Sequence, residues 1–340
     1  MIMKKEELKK SKEKIIKHIK ENDNFAILIS DPDGDAVGSG LAMQEILQKM
    51  DKECKLYSSF ELPDFTYLPR FGKYIIKDIA TIDFTKFNSL IVLDSAHTYR
   101  LINKKIHPKG FDLPKDKFVI NIDHHLDNSL FGNLNYVPDD PIISSVGEAL
   151  YDIFHNEVNI TSSIATNIFA AIVGDTGCFR YSNTSPSTFI AASKLLKAGS
   201  NMRQVIKNTF YNFEEKIVKM NIQAAQKIKI INSGKYKFAY TIINPDEFDL
   251  EYASRGQLFI IQEILKSTKG TNFSLKITKL KKDLTKLSFR SHDTAVRKIA
   301  KHMGGGGHEE AAGAIVQLPI NECLKKLTKF LKTAKLTKLF

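Results

Sequence analysis

Three acidic side chains, Asp31, Asp33 and Asp35, stand within five residues in the stretch ILISDPDGDAVGSG at 27–40. Two other apolar runs also finish in acid, SLIVL in Asp94 and FVINI in Asp123, and Asp123 is followed directly by His124 and His125. A further acid, Asp175, closes the apolar TNIFAAIVG. Carboxylates gathered in a partly desolvated cleft repel one another and take up protons unless a cation neutralises them. Oxygen donors with one or two imidazoles and no thiolate suit Mn²⁺ or Mg²⁺ better than structural zinc. There are enough acids here for two ions sharing one bridging carboxylate, the arrangement that activates water and clamps a phosphoryl group. Simpler readings stand beside this one. D-P-D-G-D is most often a turn, since Asp, Pro and Gly are turn formers, and a histidine pair can be an ordinary loop feature. An EF-hand does not fit, because the glycine is misplaced and Ala42 stands where the bidentate glutamate belongs. Recurrence of acids at successive strand ends is what favours a metal site.

The elements that must position these groups follow from hydrophobic periodicity. FAILI at 25–29, SLIVLD at 89–94 and FVINID at 118–123 read as buried strands. VGSGLAMQEILQKM, SVGEALYDIF and TSSIATNIFAAIVGD read as helices between and after them, and 3–21 as an amphipathic helix packed on the domain through Leu8, Ile15, Ile16 and Ile19. Strands alternating with helices predict an α/β domain on a parallel sheet. Ligands of such sheets bind outside the carboxyl ends of the strands, where the acids fall. After Ser233 and Gly234, KFAYTII, NFSLKITKL, LTKLSF and GAIVQL read as strands of a smaller mixed α/β domain, with RGQLFIIQEILK and TAVRKIAKHM as helices. The expected division is a catalytic domain at 1–195, a helical linker at 196–233 that includes FEEKIVKMNIQAAQKIKII, and a second domain at 234–340. Inside that second domain lies GGGGHEEAAG at 304–313. Four glycines can be a flexible connector. Between regular elements they more specifically suit a backbone that must approach a ligand, and with His308 and Arg290 they suggest a phosphate or nucleotide clamp.

Bulk properties narrow the class. At 340 residues and 43% hydrophobic content the chain can form two cores. No apolar run approaches bilayer length and the N-terminus lacks a signal-type core, so no membrane and a cytoplasmic location are expected. Cys54, Cys178 and Cys323 are widely scattered, with neither disulfide-framework nor zinc spacing. The net charge of +12 is compatible with polyanionic partners, although lysines on solvated helix faces account for much of it.

DPDGDAVGS, LDSAHTYRL, NIDHHLDN, SSVGEALY, VGDTGCFRYSNT, SFRS and GGGGHEEAAG, ordered from about residue 25 to 316, together resemble the DHH phosphoesterase superfamily with its DHH-associated C-terminal domain. The similarity is greatest to the nanoRNase, or oligoribonuclease/pAp phosphatase, branch, which includes stand-alone cyclic-di-AMP-linked phosphodiesterases. The resemblance implies a two-Mn²⁺ phosphodiesterase with its active site in an interdomain cleft. It would cut short RNA or DNA oligonucleotides or linear dinucleotides such as pApA to mononucleotides by metal-activated water, with pAp or cyclic di-AMP as alternative substrates. Carried over by position, Asp35, Asp94, His124 and Asp175 would hold one ion, and Asp94 would bridge to a second that also uses Asp33. Asp123 would orient His124, and His125 would contact the scissile phosphate or assist the leaving group. Arg290, Ser291, Gly304, Gly305, Gly306, Gly307 and His308 would grip the nucleotide, and relatives imply a homodimer. One position departs: the family's first motif carries a metal-binding histidine where this chain has Ile29, so either His97 or Asp31 would replace it, or the first site is weakened. A weakened site leaves open a nucleotide-binding regulatory protein as a different class of function.

Overall fold

The computed structural model describes residues 3–339 apart from 31, 61–64, 104–105, 108–109, 139–142, 245–246, 248–257 and 308. Asp31 and His308 therefore lie outside the described residues. The chain divides into two compact units, Met1–Asn212 and Phe213–Phe340, with the boundary inside the segment expected to be a linker.

In chain order the first unit contains α1 (Lys5–Glu21), β1 (Asn24–Ile29), α2 (Gly34–Lys49), β2 (Glu53–Ser58), β3 (Tyr74–Ile76), β4 (Ser89–Leu93), β5 (Phe118–Ile122), β6 (Leu134–Tyr136), α3 (Val146–Phe154), α4 (Ser162–Asp175), α5 (Pro186–Lys197) and α6 (Met202–Phe210). Its six strands form one parallel sheet in the order β3-β2-β1-β4-β5-β6. β1, β4 and β5 occupy the middle and are buried on both faces, which is why they read as unbroken apolar runs. Alternation along β1 sends Phe25, Ile27 and Ile29 into the core shared with α2, α3 and α4, and Ala26 and Leu28 into the opposite core with Ile79, Phe84 and Phe87. Chain direction through the sheet reverses between β1 and β4, the switch point at which doubly wound sheets leave a crevice beyond their carboxyl ends.

Helices α2 and α3 both lie very close to α4. A Cβ on Gly38 would stand 2.4 Å from the Asn167 carbonyl oxygen, and one on Gly147 would stand 2.4 Å from the Ala171 Cβ and 3.0 Å from the Ile168 carbonyl. Gly147→Ala is therefore expected to force α3 away from α4 and destabilise the unit by about 1–3 kcal/mol. Denaturant unfolding checks it, and an unchanged midpoint would contradict the packing.

The second unit contains α7 (Glu215–Gln226), β7 (Lys229–Ser233), β8 (Tyr236–Ile243), α8 (Phe259–Lys266), β9 (Phe273–Lys281), β10 (Leu284–Arg290), α9 (Arg297–His302), β11 (Gly306–Gly307), β12 (Ala311–Val316) and α10 (Ile320–Thr333). Its sheet runs β11-β12-β10-β9-β8-β7 and is mixed, because β8 and β9 pair parallel and the remaining neighbours antiparallel. One face packs Phe238, Tyr240, Phe273, Leu275, Leu287 and Phe289 against residues of α9 and α10. On the other face Ala239 and Ile243 of β8 meet Ile217, Met220 and Ala224 of α7 and Ile261 and Leu265 of α8.

One expectation needs correction. KIKII does not extend the helix before it: α7 stops at Gln226, and residues 229–233 form the edge strand β7. The glycine run is not a loose connector. Gly306 and Gly307 pair with Gly313 and Ala312, and a Cβ on Gly305 would fall 2.0 Å from the Gly313 carbonyl oxygen, so close contact with β12 already requires glycine there. Among the described residues, no helix is long and apolar enough to cross a membrane.

Candidate metal centre

The carboxyl ends of β1, β4 and β5 deliver the acids to one place. Asp33 caps α2, its Oδ1 accepting from the Asp35 and Ala36 N–H groups at 3.0 Å. That cap turns Asp35, in the first helical turn, into the interior, where it is fully buried. Asp35 Oδ2 accepts from Val146 N at 2.7 Å, and Oδ1 from Gly147 N at 3.0 Å and Ser39 Oγ at 2.8 Å. The N-terminus of α3 is thus aimed at this carboxylate, and Gly147 makes the approach possible.

Asp94 follows β4 with φ +54°, a left-handed conformation in which a non-glycine residue is strained and Asp or Asn is best tolerated. The Ser30 hydroxyl donates to its carbonyl oxygen at 2.6 Å. Asp94 Oδ1 lies 3.7 Å from His124 Nε2 and 3.5 Å from His125 Nδ1. It is buried and accepts no hydrogen bond. His124 Nε2 also stands 3.0 Å from Asp175 Oδ2, at the end of α4, and 3.7 Å from Asp35 Oδ2. Ligand-capable atoms consequently gather in two overlapping groups, Asp35, His124 and Asp175 in one, Asp94, Asp123, His124 and His125 in the other, each within 4.8 Å. Asp33 is more exposed and adds its charge beside Asp94.

The electrostatics are those of a crowded anionic site. Burial and then the charge of Asp175 lift the Asp35 carboxyl to about 6, against the opposing pull of His124 and the Val146 N–H. Burial, followed by the charges of Asp35, Asp33, Asp175 and Asp123, holds Asp94 well above the ordinary carboxylate range. Burial alone would lower His124, but its hydrogen bond to Asp175 and the charges of Asp175, Asp35 and Asp123 outweigh it and raise the imidazole to about 10. Protons here stand in for a cation. A buried carboxylate oxygen without a donor is costly, so the unpartnered Asp94 Oδ1 and the all O/N donor set fit a divalent ion of the Mn²⁺ or Mg²⁺ type.

Asp123 meets the neighbouring ring. His125 Nδ1 donates to Asp123 Oδ1 at 2.7 Å, and Asn128 Nδ2 donates to Asp123 Oδ2 at 2.5 Å. Burial would raise this carboxyl, yet the hydrogen bond and charge of His125, with His124 and Asn128, bring it far below the usual range. On the other side of the ring, Arg100 Nη1 lies 3.4 Å from His125 Nε2. The sequence reading missed Arg100 and Asn128, single residues in irregular segments; their signal was only their position inside LDSAHTYRL and NIDHHLDN.

Ile29 is fully enclosed in the core, and the position is given over to packing. His97 begins the short 3-10 turn Thr98–Leu101, stacks on Tyr99 with ring centroids 5.0 Å apart, and belongs to neither ligand group. His97→Ala is expected to leave metal stoichiometry and affinity unchanged in a calorimetric titration; a lost equivalent would make His97 a ligand.

In the second unit, Arg290 Nη1 donates to the Phe289 carbonyl at 2.8 Å. Ser291 is buried, donates to the Asn272 carbonyl at 2.8 Å, and accepts from Asp293 and Thr294 N–H at 3.2 and 2.9 Å, so its hydroxyl holds the turn after β10. Gly304, with φ +85°, and Gly306 have open space where a Cβ would be.

A doubly wound parallel sheet with a carboxylate and imidazole cluster able to hold a metal ion at its switch point, followed by a mixed-sheet unit, defines a two-unit α/β protein with a candidate metal centre. Residues 235–336 match the DHHA1 domain. The chain is 28% identical over 296 residues to the bifunctional oligoribonuclease and PAP phosphatase NrnA of Thermus thermophilus, covering 84% of this chain and 82% of that one. It is 25% identical over 290 residues to the protein of the same name from Bacillus subtilis, covering 84% and 86%. The crystal structure of an exopolyphosphatase-related protein from Bacteroides fragilis shares the fold, with a TM-score of 0.78 at 21% identity over 95% of this chain and 96% of that one. The second unit thus carries the match to the DHHA1 domain, and the chain as a whole is similar in sequence to these oligoribonuclease and PAP phosphatase proteins and in fold to the Bacteroides protein.

Proposed function

We propose that this protein is a metal-dependent phosphoesterase of the nanoRNase type, hydrolysing short oligonucleotides and linear dinucleotides such as pApA to mononucleotides and removing the 3′-phosphate of pAp. The observation that carries the proposal is the meeting of Asp35, Asp94, His124 and Asp175 at the switch point, with Asp94 Oδ1 buried and unpartnered. The oligoribonuclease and PAP phosphatase names of the Thermus and Bacillus relatives support the same reading. Asp33, Asp35, Asp94, His124 and Asp175 would hold two ions, with Asp94 shared, and Mn²⁺ is the preferred occupant of such a mixed oxygen and imidazole set. Bound there, the metal would supply Lewis acidity and lower the pKa of water.

The chain's own groups do the rest. Asp123 fixes His125 by accepting from its Nδ1–H, leaving Nε2 as the ring atom with the lone pair, able to take up a proton and return it to the leaving oxygen. Arg100, at that nitrogen, presents positive charge to the phosphoryl oxygens. Asn128 secures the far oxygen of Asp123. In the second unit, Arg290 and the open backbone at Gly304 and Gly306 would hold the nucleotide, and Ser291 would act by shaping the turn beside them.

Product analysis of the full-length protein with pApA, pAp, cyclic di-AMP and a short RNA ladder, each with Mn²⁺ or Mg²⁺, tests the proposal. Mononucleotides from pApA and the RNA ladder, with Mn²⁺ superior, are expected. Nucleotide binding without turnover at saturating Mn²⁺ would replace it with a regulatory binding role, the reading that the isoleucine at position 29 favours.

A further inference from the structure

Two stretches of the sequence, SSVGEALY at 144–151 and DTGCFRYSNTS at 175–185, lie beside the metal centre and supply one of its ligand-capable side chains, Asp175. Their other polar groups are turned on each other. Glu148 of α3 is 3% exposed. Its Oε2 accepts from the Ser144 N–H at 3.0 Å, the Ser144 hydroxyl at 2.6 Å and the Thr188 hydroxyl at 2.8 Å, and its Oε1 accepts from the Ser187 hydroxyl at 2.8 Å. Glu148 thus joins the turn before α3 to the first turn of α5. Asn183 takes the other side of the same residue, its Nδ2 donating to the Ser144 carbonyl at 3.0 Å and to the Asp175 carbonyl at 3.1 Å.

Ser144 is therefore held through its N–H by one side chain and through its carbonyl by another. Ser145 then caps α3 by accepting from the Glu148 N–H at 3.1 Å, and the next two N–H groups, of Val146 and Gly147, are those that bind Asp35. Asn183 reaches Asp175 because Gly177, Cys178 and Phe179 have φ of +55°, +61° and +63° in succession, folding the chain back under the end of α4. Two consecutive non-glycine residues in this region are strained and persist only where the surroundings enforce them. Neither Glu148 nor Asn183 belongs to a ligand group, yet together they fix the backbone that grips Asp35 and the backbone that bears Asp175, two of the three members of one group.

We propose that Glu148 and Asn183 are positioning residues for one ion: they set the separation of Asp35 and Asp175, and with it the affinity of the ion that these two carboxylates share. The ion at Asp33 and Asp94 is placed by the α2 cap and the end of β4 and depends on neither. The role rests on the metal-centre reading above. It is one of shape and hydrogen bonding, so glutamine can replace Glu148: its amide oxygen accepts from Ser144 and Thr188 while its NH₂ donates to the Ser187 hydroxyl.

Calorimetric titration of the full-length protein with Mn²⁺ alone tests the role, using Glu148→Ala, Glu148→Gln, Asn183→Ala and, as a control, Glu45→Ala, beside thermal unfolding without metal. Glu45 is a matched control, 6% exposed and accepting from the Thr161 and Ser163 hydroxyls at the end of α4 opposite Asp175. Glu148→Ala and Glu45→Ala each leave hydroxyls without their acceptor, and both are expected to lower Tm. Only Glu148→Ala and Asn183→Ala are expected to weaken one Mn²⁺ equivalent, by about tenfold or more, with the second equivalent unchanged and Glu148→Gln close to wild type. Unchanged Mn²⁺ affinity in Glu148→Ala and Asn183→Ala, an equal loss on both equivalents, an equal loss in Glu45→Ala, or a Glu148→Gln as weak as Glu148→Ala would each overturn the role. If Glu148→Ala does not fold, Asn183→Ala, at a less buried side chain, makes the comparison. A wild type that binds no Mn²⁺ would remove the metal-centre reading and this role with it; wild-type binding shared by every variant would remove this role alone.

Discussion

Asp94→Asn is expected to reduce turnover of pApA by at least about three orders of magnitude, equivalent to about 4 kcal/mol in the barrier, while the far-ultraviolet circular dichroism stays unchanged. Asparagine tolerates the left-handed φ of +54° and keeps the side-chain volume, so the loss falls on charge and not on folding. The carboxylate it removes is the one within 4 Å of both imidazoles and the one whose Oδ1 has no donor. Removing a negative charge from beside Asp35, Asp33, Asp175 and Asp123 also relieves repulsion. Without metal, the variant should therefore be more stable than the metal-free wild type near neutral pH. Wild-type rates in a folded Asp94→Asn protein would refute the assignment of this centre as the catalytic one. A variant less stable than wild type without metal would refute its electrostatics.

Chelation of the metal is expected to destabilise the protein, and more at pH 8 than at pH 5. Asp35 is raised to about 6 and Asp94 is raised well above its ordinary value. The stability these groups contribute in the metal-free state is fully present below about pH 4 and is lost as pH rises through their folded values. His124, raised to about 10, contributes stability that is complete below about pH 6.5 and is lost as pH rises toward 10. Both effects carry the same sign, and for Asp35 the magnitude is on the order of a few kcal/mol. Asp123 is opposite: its depressed pKa contributes stability above about pH 4 that acid removes. A cation takes the place of the retained protons, so its binding releases them and its apparent affinity rises with pH. Calorimetric scans with chelator or Mn²⁺ at pH 5 and pH 8 should give the larger metal-dependent rise in Tm at pH 8. The reverse order would mean that the centre is already ionised without metal.

What the sequence made legible follows from burial. β1, β4 and β5 are enclosed on both faces and can only be written in apolar residues, so they stood out, and so did the acids at their ends. β2, β3 and β6 are short or peripheral; in ECKLYS only the last three residues are buried, and no clear period survives. β7 failed for the same reason, since KIINS is a mostly exposed edge strand that looks like the tail of the amphipathic helix before it. At the centre, residue types were readable but pairings were not. Adjacent histidines give no clue to which ring Asp123 will meet, because the turn after β5 decides it, and the structure chooses His125. Neither Arg100 nor the N–H groups of Val146 and Gly147 could be assigned before the packing of α3 on α4 was known. The glycine run was visible at once, but its close approach to β12 was not.

The hydrogen bonds from Val146 and Gly147 to Asp35 join residues more than a hundred positions apart, across most of the parallel sheet. Contacts of such separation reward the chain only after the intervening loops have closed, and parallel β topologies close them slowly. The centre is therefore a late feature of folding. A nascent or partly refolded chain can have β1 and α2 in place and still present Asp35 without its α3 donors. Full metal affinity, followed during refolding, would report completion of the first unit, and the ion would act as a seal on the finished fold instead of a nucleus for it.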